Sequence, residues 1–279
     1  MKNLGFVILT ILVIMMVVIL LSFINHRIRL AKEADLFIAP GQIVKVNGHD
    51  MHVYAEGDAD AAATLIFMSG AGTSSPYLDF KSLYSLLSDK YRVAVVEKIG
   101  YGFSEVADID RDVDSMLSDT RQALALAGIE GPYVLCPHSM SGIEALYWAQ
   151  KYPDEVETLI GLDITVPASY ENTKLTTAMT KLAKFATDTG LIRWIPSLAE
   201  RDAAEQGNLT EAEKELSRII FYRRTATQTM INEAEQIKDN AASLPDQGII
   251  DQPCLLFLSS GEVPGWDEDT WRANLYDYA

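Results

Sequence analysis

The chain has 279 residues, 48% of them hydrophobic, enough for one large α/β domain with its own core or two small domains. Its formal charge of −16 would repel a phosphate backbone, and no basic patch with interleaved aromatics occurs, which argues against nucleic acid as a partner. The two cysteines, Cys136 and Cys254, fall in apolar runs that read as buried strands, so they are expected to be core thiols without a disulfide framework, and they leave the compartment undecided. The four histidines (His26, His49, His52 and His138) form no zinc-ligand spacing with them, so neither a metal site nor a cofactor is expected.

Residues 4–24 carry no charged side chain and consist largely of Ile, Leu, Val, Met and Phe. About 20 such residues span a bilayer core as a helix. A cleaved signal peptide competes, because Lys2 supplies a basic start; but its apolar region would be about 7–15 residues, and no small-x-small cleavage site precedes His26. An uncleaved single-span anchor is therefore expected. Arg27, Arg29 and Lys32 after the span favour a cytoplasmic C-terminal domain, whereas an N-terminal signal-anchor would place it outside, so orientation stays open.

Residues 25–40 read as a juxtamembrane linker. Residues 42–46 and 51–56 alternate around Asn47-Gly48, a hairpin signal. Residues 64–68 form a short apolar run ending in Ser69-Gly70-Ala71-Gly72. Residues 77–87 have helical spacing, with Leu78, Leu83, Leu86 and Leu87 on the apolar side. A strand over 91–96 leads into Gly100-Tyr101-Gly102-Phe103-Ser104, then a helix over 116–126 and a strand over 133–136. The following helix, 143–152, stops at Pro153, and a strand over 158–162 ends at Asp163. Strand–helix alternation of this kind predicts an α/β fold with a mostly parallel central sheet and helices on both faces, its core spanning 41–167.

From 168 to 248 the pattern turns helical, with the capping-box signal Thr210-x-x-Glu213 opening one helix. Residues 253–259 restore a buried-strand pattern, so the insertion reads as a lid over a site, and 249–279 as the return to the core.

Pro137-His138-Ser139-Met140-Ser141-Gly142 joins a strand to a helix. With the Ser69–Gly72 loop, the Gly100–Ser104 loop and the helical insertion, in that order, it resembles the lid-bearing α/β-hydrolase superfamily over about residues 41–267. The usual glycines two before and two after the serine are here Pro137 and Ser141. Proline favours the extended φ of a strand's last residue, and serine is small, so the sharp turn that exposes a nucleophile survives. The resemblance implies that Ser139 attacks a carbonyl and that the backbone N–H groups of Met140 and Ala71 hold the oxyanion. It places the acid at Asp163 or Asp267, with Glu262 behind them. Gly100–Ser104 is expected to shape the adjacent loop; its G-x-G lacks the third glycine and the context of a dinucleotide fingerprint.

A base is the missing part. In the family pattern the histidine follows one further strand, and none follows His138 here. His138 itself is expected to be structural, because a sharp turn directs successive side chains apart. The chain is therefore expected to be C-terminally incomplete, lacking the last strand and helix, and catalytically crippled as it stands, or else a genuine shortened product. The implied activity is a membrane-anchored serine hydrolase of esters or amides acting through an acyl-enzyme without cofactor. The alternative is a non-catalytic binding protein of the same fold at the membrane. A serine at position 139 speaks against haloalkane dehalogenases and epoxide hydrolases, whose resemblance would require aspartate there.

Overall fold

A computed structural model describes residues 2–171, 176–200, 205–260 and 267–279. The chain opens on helix α1 (Lys2–Lys32), which continues beyond the expected span into the linker. Strands β1 (Gln42–Val46) and β2 (His49–Glu56) pair antiparallel through Asn47-Gly48. Both turn residues have positive φ, as the primed two-residue hairpin turn requires. Strands β3 (Thr64–Met68), β4 (Arg92–Glu97), β5 (Tyr133–Pro137), β6 (Val156–Leu162) and β7 (Cys254–Phe257) complete a seven-stranded sheet in the order β1-β2-β4-β3-β5-β6-β7. Only β1–β2 and β2–β4 are antiparallel; every other pairing is parallel.

The central strands are buried on both faces, and their period of two divides the core in two layers. From β3, Ile66 and Met68 enter one layer, and Leu65 and Phe67 the other. Ala94 and Val96 oppose Val93 and Val95 on β4 in the same way. The first layer is covered by α4 (Val113–Leu126) and α5 (Ser141–Lys151), which contribute Leu117, Leu124, Leu146 and Trp148. The second is covered by α2 (Pro76–Asp79) and α3 (Lys81–Tyr84).

Two expectations change here. The helix over 77–87 is broken into α2, α3 and a turn, and the residues that enter the core are Tyr77, Leu78, Phe80 and Tyr84, while Leu83 and Leu86 are exposed. The aromatic rings stack on Tyr54 and Phe67, filling volume that the leucines would leave empty. Cys254 is not a buried core thiol but is exposed, because among the described residues β7 pairs with β6 alone. Cys136 is buried as expected, and burial pushes its thiol up to about 12.

Between β6 and β7 the described residues form helices and turns only: α6 (Pro167–Glu171), α7 (Ala178–Asp188), α8 (Glu211–Arg224) and α9 (Gln228–Ala242). Thr210 opens α8 with both reciprocal bonds of a capping box to Glu213, as its sequence signal predicts. Helix α9 sits on the Gly100 loop. Thr227 Oγ1 donates to Gly100 O, and a Cβ at Gly100 would come within 2.5 Å of Thr229 Cβ. Lys98 pairs with Glu233 of α9 in the same contact, and the Tyr101 hydroxyl donates to Glu233 at 2.9 Å. The chain closes with α10 (Glu268–Tyr278).

Candidate active site

Ser139 stands between the C-terminal end of β5 and the start of α5, with φ of 53°. A non-glycine residue adopts that conformation only where its surroundings hold it there. The holding is visible. Ser139 O accepts from Thr165 N at 2.9 Å and from Gly142 N at 3.0 Å. Ser141 Oγ accepts from His138 N at 2.9 Å and donates to Met68 O at 2.8 Å, tying the turn to β3. Ser141 is thus more than a small residue. The close approach falls one position later, at Gly142, where a Cβ would lie 2.3 Å from Thr165 O.

Asp163 mirrors this arrangement one strand away. It follows β6 with φ of 52°, and its N–H donates to Phe257 O of β7 at 2.8 Å. Asp163 Oδ1 accepts from Ser259 N at 3.0 Å and from Trp271 Nε1 of α10 at 2.9 Å. The Ser139 N–H reaches Leu162 O, immediately before Asp163, at 3.4 Å. The two residues therefore share the C-terminal edge of neighbouring parallel strands, where ligands bind in open α/β sheets.

Asp267 has a different position. It is exposed and is the N-cap of α10, its Oδ2 accepting from Thr270 N at 3.0 Å and Thr270 Oγ1 at 2.7 Å. Those bonds hold its carboxyl below the usual carboxylate range. Glu262 lies outside the described residues.

The Ser69–Gly72 loop meets the serine turn directly. A Cβ at Gly70 would come 2.8 Å from Ser139 Cβ, 3.1 Å from His138 O and 3.2 Å from His138 Nδ1. Ala71 is exposed beside this contact, and Met140 is buried at the first turn of α5, where the positive end of the helix dipole lies. Neither backbone N–H is taken by another group among the described residues. Amides left free beside a serine are the kind of donor that can hold a developing oxyanion. Gly70→Ala is expected to lower turnover about 10–100-fold by displacing this loop, with the unfolding midpoint little changed. A steady-state assay beside a melting curve checks both.

Three of the four histidines are committed elsewhere. His52 is fully buried, its Nδ1 2.9 Å from Glu97 Oε2 and its Nε2 facing Pro40 O. His49 pairs with Glu105 on the hairpin, and His26 of α1 accepts from Arg193 Nε. His138 is the nearest in sequence; its ring meets Phe80 edge-on and opens to solvent on its other side. Surrounding protein lowers its pKa, and the charge of Asp163 opposes that shift. Ser139 Oγ has no hydrogen-bond partner among the described residues.

Glu97 was not singled out by sequence reasoning. It accepts from His52 Nδ1, Tyr77 N at 3.1 Å and Phe103 N at 2.6 Å, and so ties the start of α2 to the Gly100–Ser104 loop. Its carboxylate fills the space above Gly102 (φ 47°), where a Cβ would lie 1.8 Å from Oε2. The signal available in the sequence was a carboxylate ending an apolar strand just before two glycines.

A family profile described as alpha/beta hydrolase fold matches residues 63–190. Uncharacterized protein YbdG of Bacillus subtilis is 42% identical over 224 residues, covering 79% of this chain and 68% of the relative. A cis-3-alkyl-4-alkyloxetan-2-one decarboxylase of Xanthomonas campestris is 31% identical over 121 residues, 40% of this chain and 39% of the relative. Among solved structures, an esterase from Thermogutta terrifontis matches with a TM-score of 0.58 at 18% identity, over 84% of this chain and 85% of that one.

Proposed function

This chain belongs to the α/β-hydrolase family of α/β-fold hydrolases, and on that premise we propose that it is a membrane-anchored serine hydrolase of esters or amides. Ser139 is the nucleophile, Asp163 the acid, and the N–H groups of Ala71 and Met140 the oxyanion hole. The observation that carries the reading is the strained serine at the end of β5 with the Gly70 loop against its Cβ. Ser139 Oγ gives its proton to a general base or to solvent as it attacks the substrate carbonyl, the two amides hold the tetrahedral oxyanion, and collapse expels the alcohol or amine, which takes up a proton, to leave an acyl-serine. Water then attacks that ester and releases the acid. Residues 168–248 act as the lid, and α1 is the anchor: its stretch Leu4–Lys32 is long and apolar enough to cross a bilayer, and its apolar side chains are mostly exposed. An apolar acyl group suits an anchored, lidded site.

Asp163 is preferred to Asp267 because it shares the strand edge with Ser139, whereas Asp267 is occupied as a helix cap. Asp163→Asn preserves an oxygen for Ser259 N–H and Trp271 Nε1–H while removing the charge. It is expected to lower ester turnover at least about 10-fold. Asp267→Asn should leave turnover within about twofold, since asparagine is an equally good N-cap. Equal losses in the two variants, or a loss confined to Asp267→Asn, would reassign the acid.

The second reading is a non-catalytic binding protein, favoured by one observation: three of the four histidines are held by partners away from Ser139. Without a base at the serine, turnover by these 279 residues alone is expected to be slow. Turnover of p-nitrophenyl esters by protein in its own membrane, compared with Ser139→Ala, separates the readings. Activity lost with the serine supports the hydrolase; identical rates support the binding protein.

A further inference from the structure

Helix α7 leaves an apolar stripe exposed, with charged residues beside it. Its Lys181 Nζ pairs with Glu235 of α9 at 2.6 Å, and Thr177 just before it donates to the same carboxylate at 3.0 Å. Both ion-pair partners stay substantially exposed, and the side turned to the protein carries Ala186 and the buried Thr187. Met179, Leu182 and Phe185, spaced three apart and so on one stripe, are 71%, 58% and 48% exposed. A surface helix of a soluble domain does the reverse. After the helix, Trp194, Ile195 and Leu198 are also exposed.

This apolar segment is fixed to α1 at a definite height. Gly190 (φ 75°) lies so close that a Cβ would be 2.4 Å from His26 Cβ and 2.9 Å from Ser22 O. Trp194 Nε1 donates to Ser22 Oγ at 3.1 Å, and Arg193 makes two 2.8 Å bonds to Glu33. Ser22 falls in the last turn of the uncharged run 4–24, and Arg27, Arg29 and Lys32 follow it. Trp194 is therefore held where the span leaves the hydrocarbon, the level at which tryptophan and amphipathic helices settle.

Resting on the anchored reading above, we infer that residues 178–198 lie in the membrane interface beside α1, with Met179, Leu182, Phe185, Trp194, Ile195 and Leu198 seated among lipid headgroups and upper acyl chains. The occupant of this face is lipid, because the face is continuous with the span itself. The helical insertion is then a surface-bound element, its exposed apolar stripe turned to the bilayer and its charged residues at the stripe's margin reaching the headgroups.

The test is spin-label accessibility in the full chain, reconstituted in bilayers of phosphatidylcholine and phosphatidylglycerol, in a Cys254→Ser background. Labels are placed at Val13→Cys in the span, at Leu182→Cys and Leu198→Cys in the segment, and at Leu86→Cys on the exposed turn after α3. The expected result is preferential relaxation by oxygen over a water-soluble nickel chelate at positions 13, 182 and 198, and the opposite at 86. Water-like accessibility at 182 and 198 with lipid-like accessibility at 13 overturns this inference and leaves the anchor standing. Water-like accessibility at 13 as well overturns the anchor and the inference together. Protection from both agents at 182 and 198, with dipolar broadening between labels, overturns it in favour of a second copy of the chain.

Discussion

Where a general base reaches Ser139, Ser139→Ala is expected to reduce ester turnover by at least about 10³-fold, because removal of a serine nucleophile leaves only binding and oxyanion effects. The same change should barely affect folding. Ser139 Oγ has no hydrogen-bond partner among the described residues, so its loss leaves no buried donor or acceptor stranded. Alanine and serine bear similar strain at a φ of 53°, and the bonds that hold the turn run through Ser139 O, not its side chain. A large activity loss with an unchanged unfolding midpoint is therefore the expected pair of results. A variant that retains turnover would move the chemistry away from this turn.

The second large effect is on stability. Glu97→Ala should destabilise the protein by about 3–5 kcal/mol, because it leaves three buried donors unsatisfied at about 1–3 kcal/mol each. Glu97 and His52 are both 0% exposed, so neither has water as a substitute partner. Truncation strands His52 Nδ1 and the N–H groups of Tyr77 and Phe103, and it empties the space above Gly102. Glu97→Gln, which keeps an acceptor oxygen of nearly the same shape, should cost less than the alanine change. Urea unfolding of the detergent-solubilised full chain compares the three proteins. A shift below about 1 kcal/mol for Glu97→Ala would mean that the cluster does not organise the loops around the serine.

What could be read from the sequence follows the range of the interactions. The hairpin at Asn47-Gly48 and the Thr210 capping box were legible because each depends on residues close in the chain, and the parallel core because strand–helix alternation is written locally although its strands pair at long range. The broken helix at 77–87 was not. Its leucine spacing suggested one amphipathic face, but the site that fills it is made by Tyr54 and Phe67 on distant strands, which select aromatic rings. For Cys254 the core-thiol reading fails, whereas the expectation that losing a further strand leaves residues 254–259 as an uncovered apolar edge agrees with β7 at the end of the sheet order.

At the site, the serine turn and the Gly70 loop could be placed from local pattern. The proposed preference for Asp163 over Asp267 could not, because it rests on where β6 and α10 lie relative to β5. Glu97 escaped for the same cause, since its partners are 45 residues back at His52 and 20 residues back at Tyr77.

The most direct measurement is labelling of the protein, in its native membrane, with a fluorophosphonate probe, followed by mass-spectrometric mapping of the modified peptide. The account predicts a single adduct on Ser139, absent from Ser139→Ala. No adduct on a demonstrably folded protein, or an adduct on another serine that survives the substitution, would contradict the assignment of this turn as the catalytic centre.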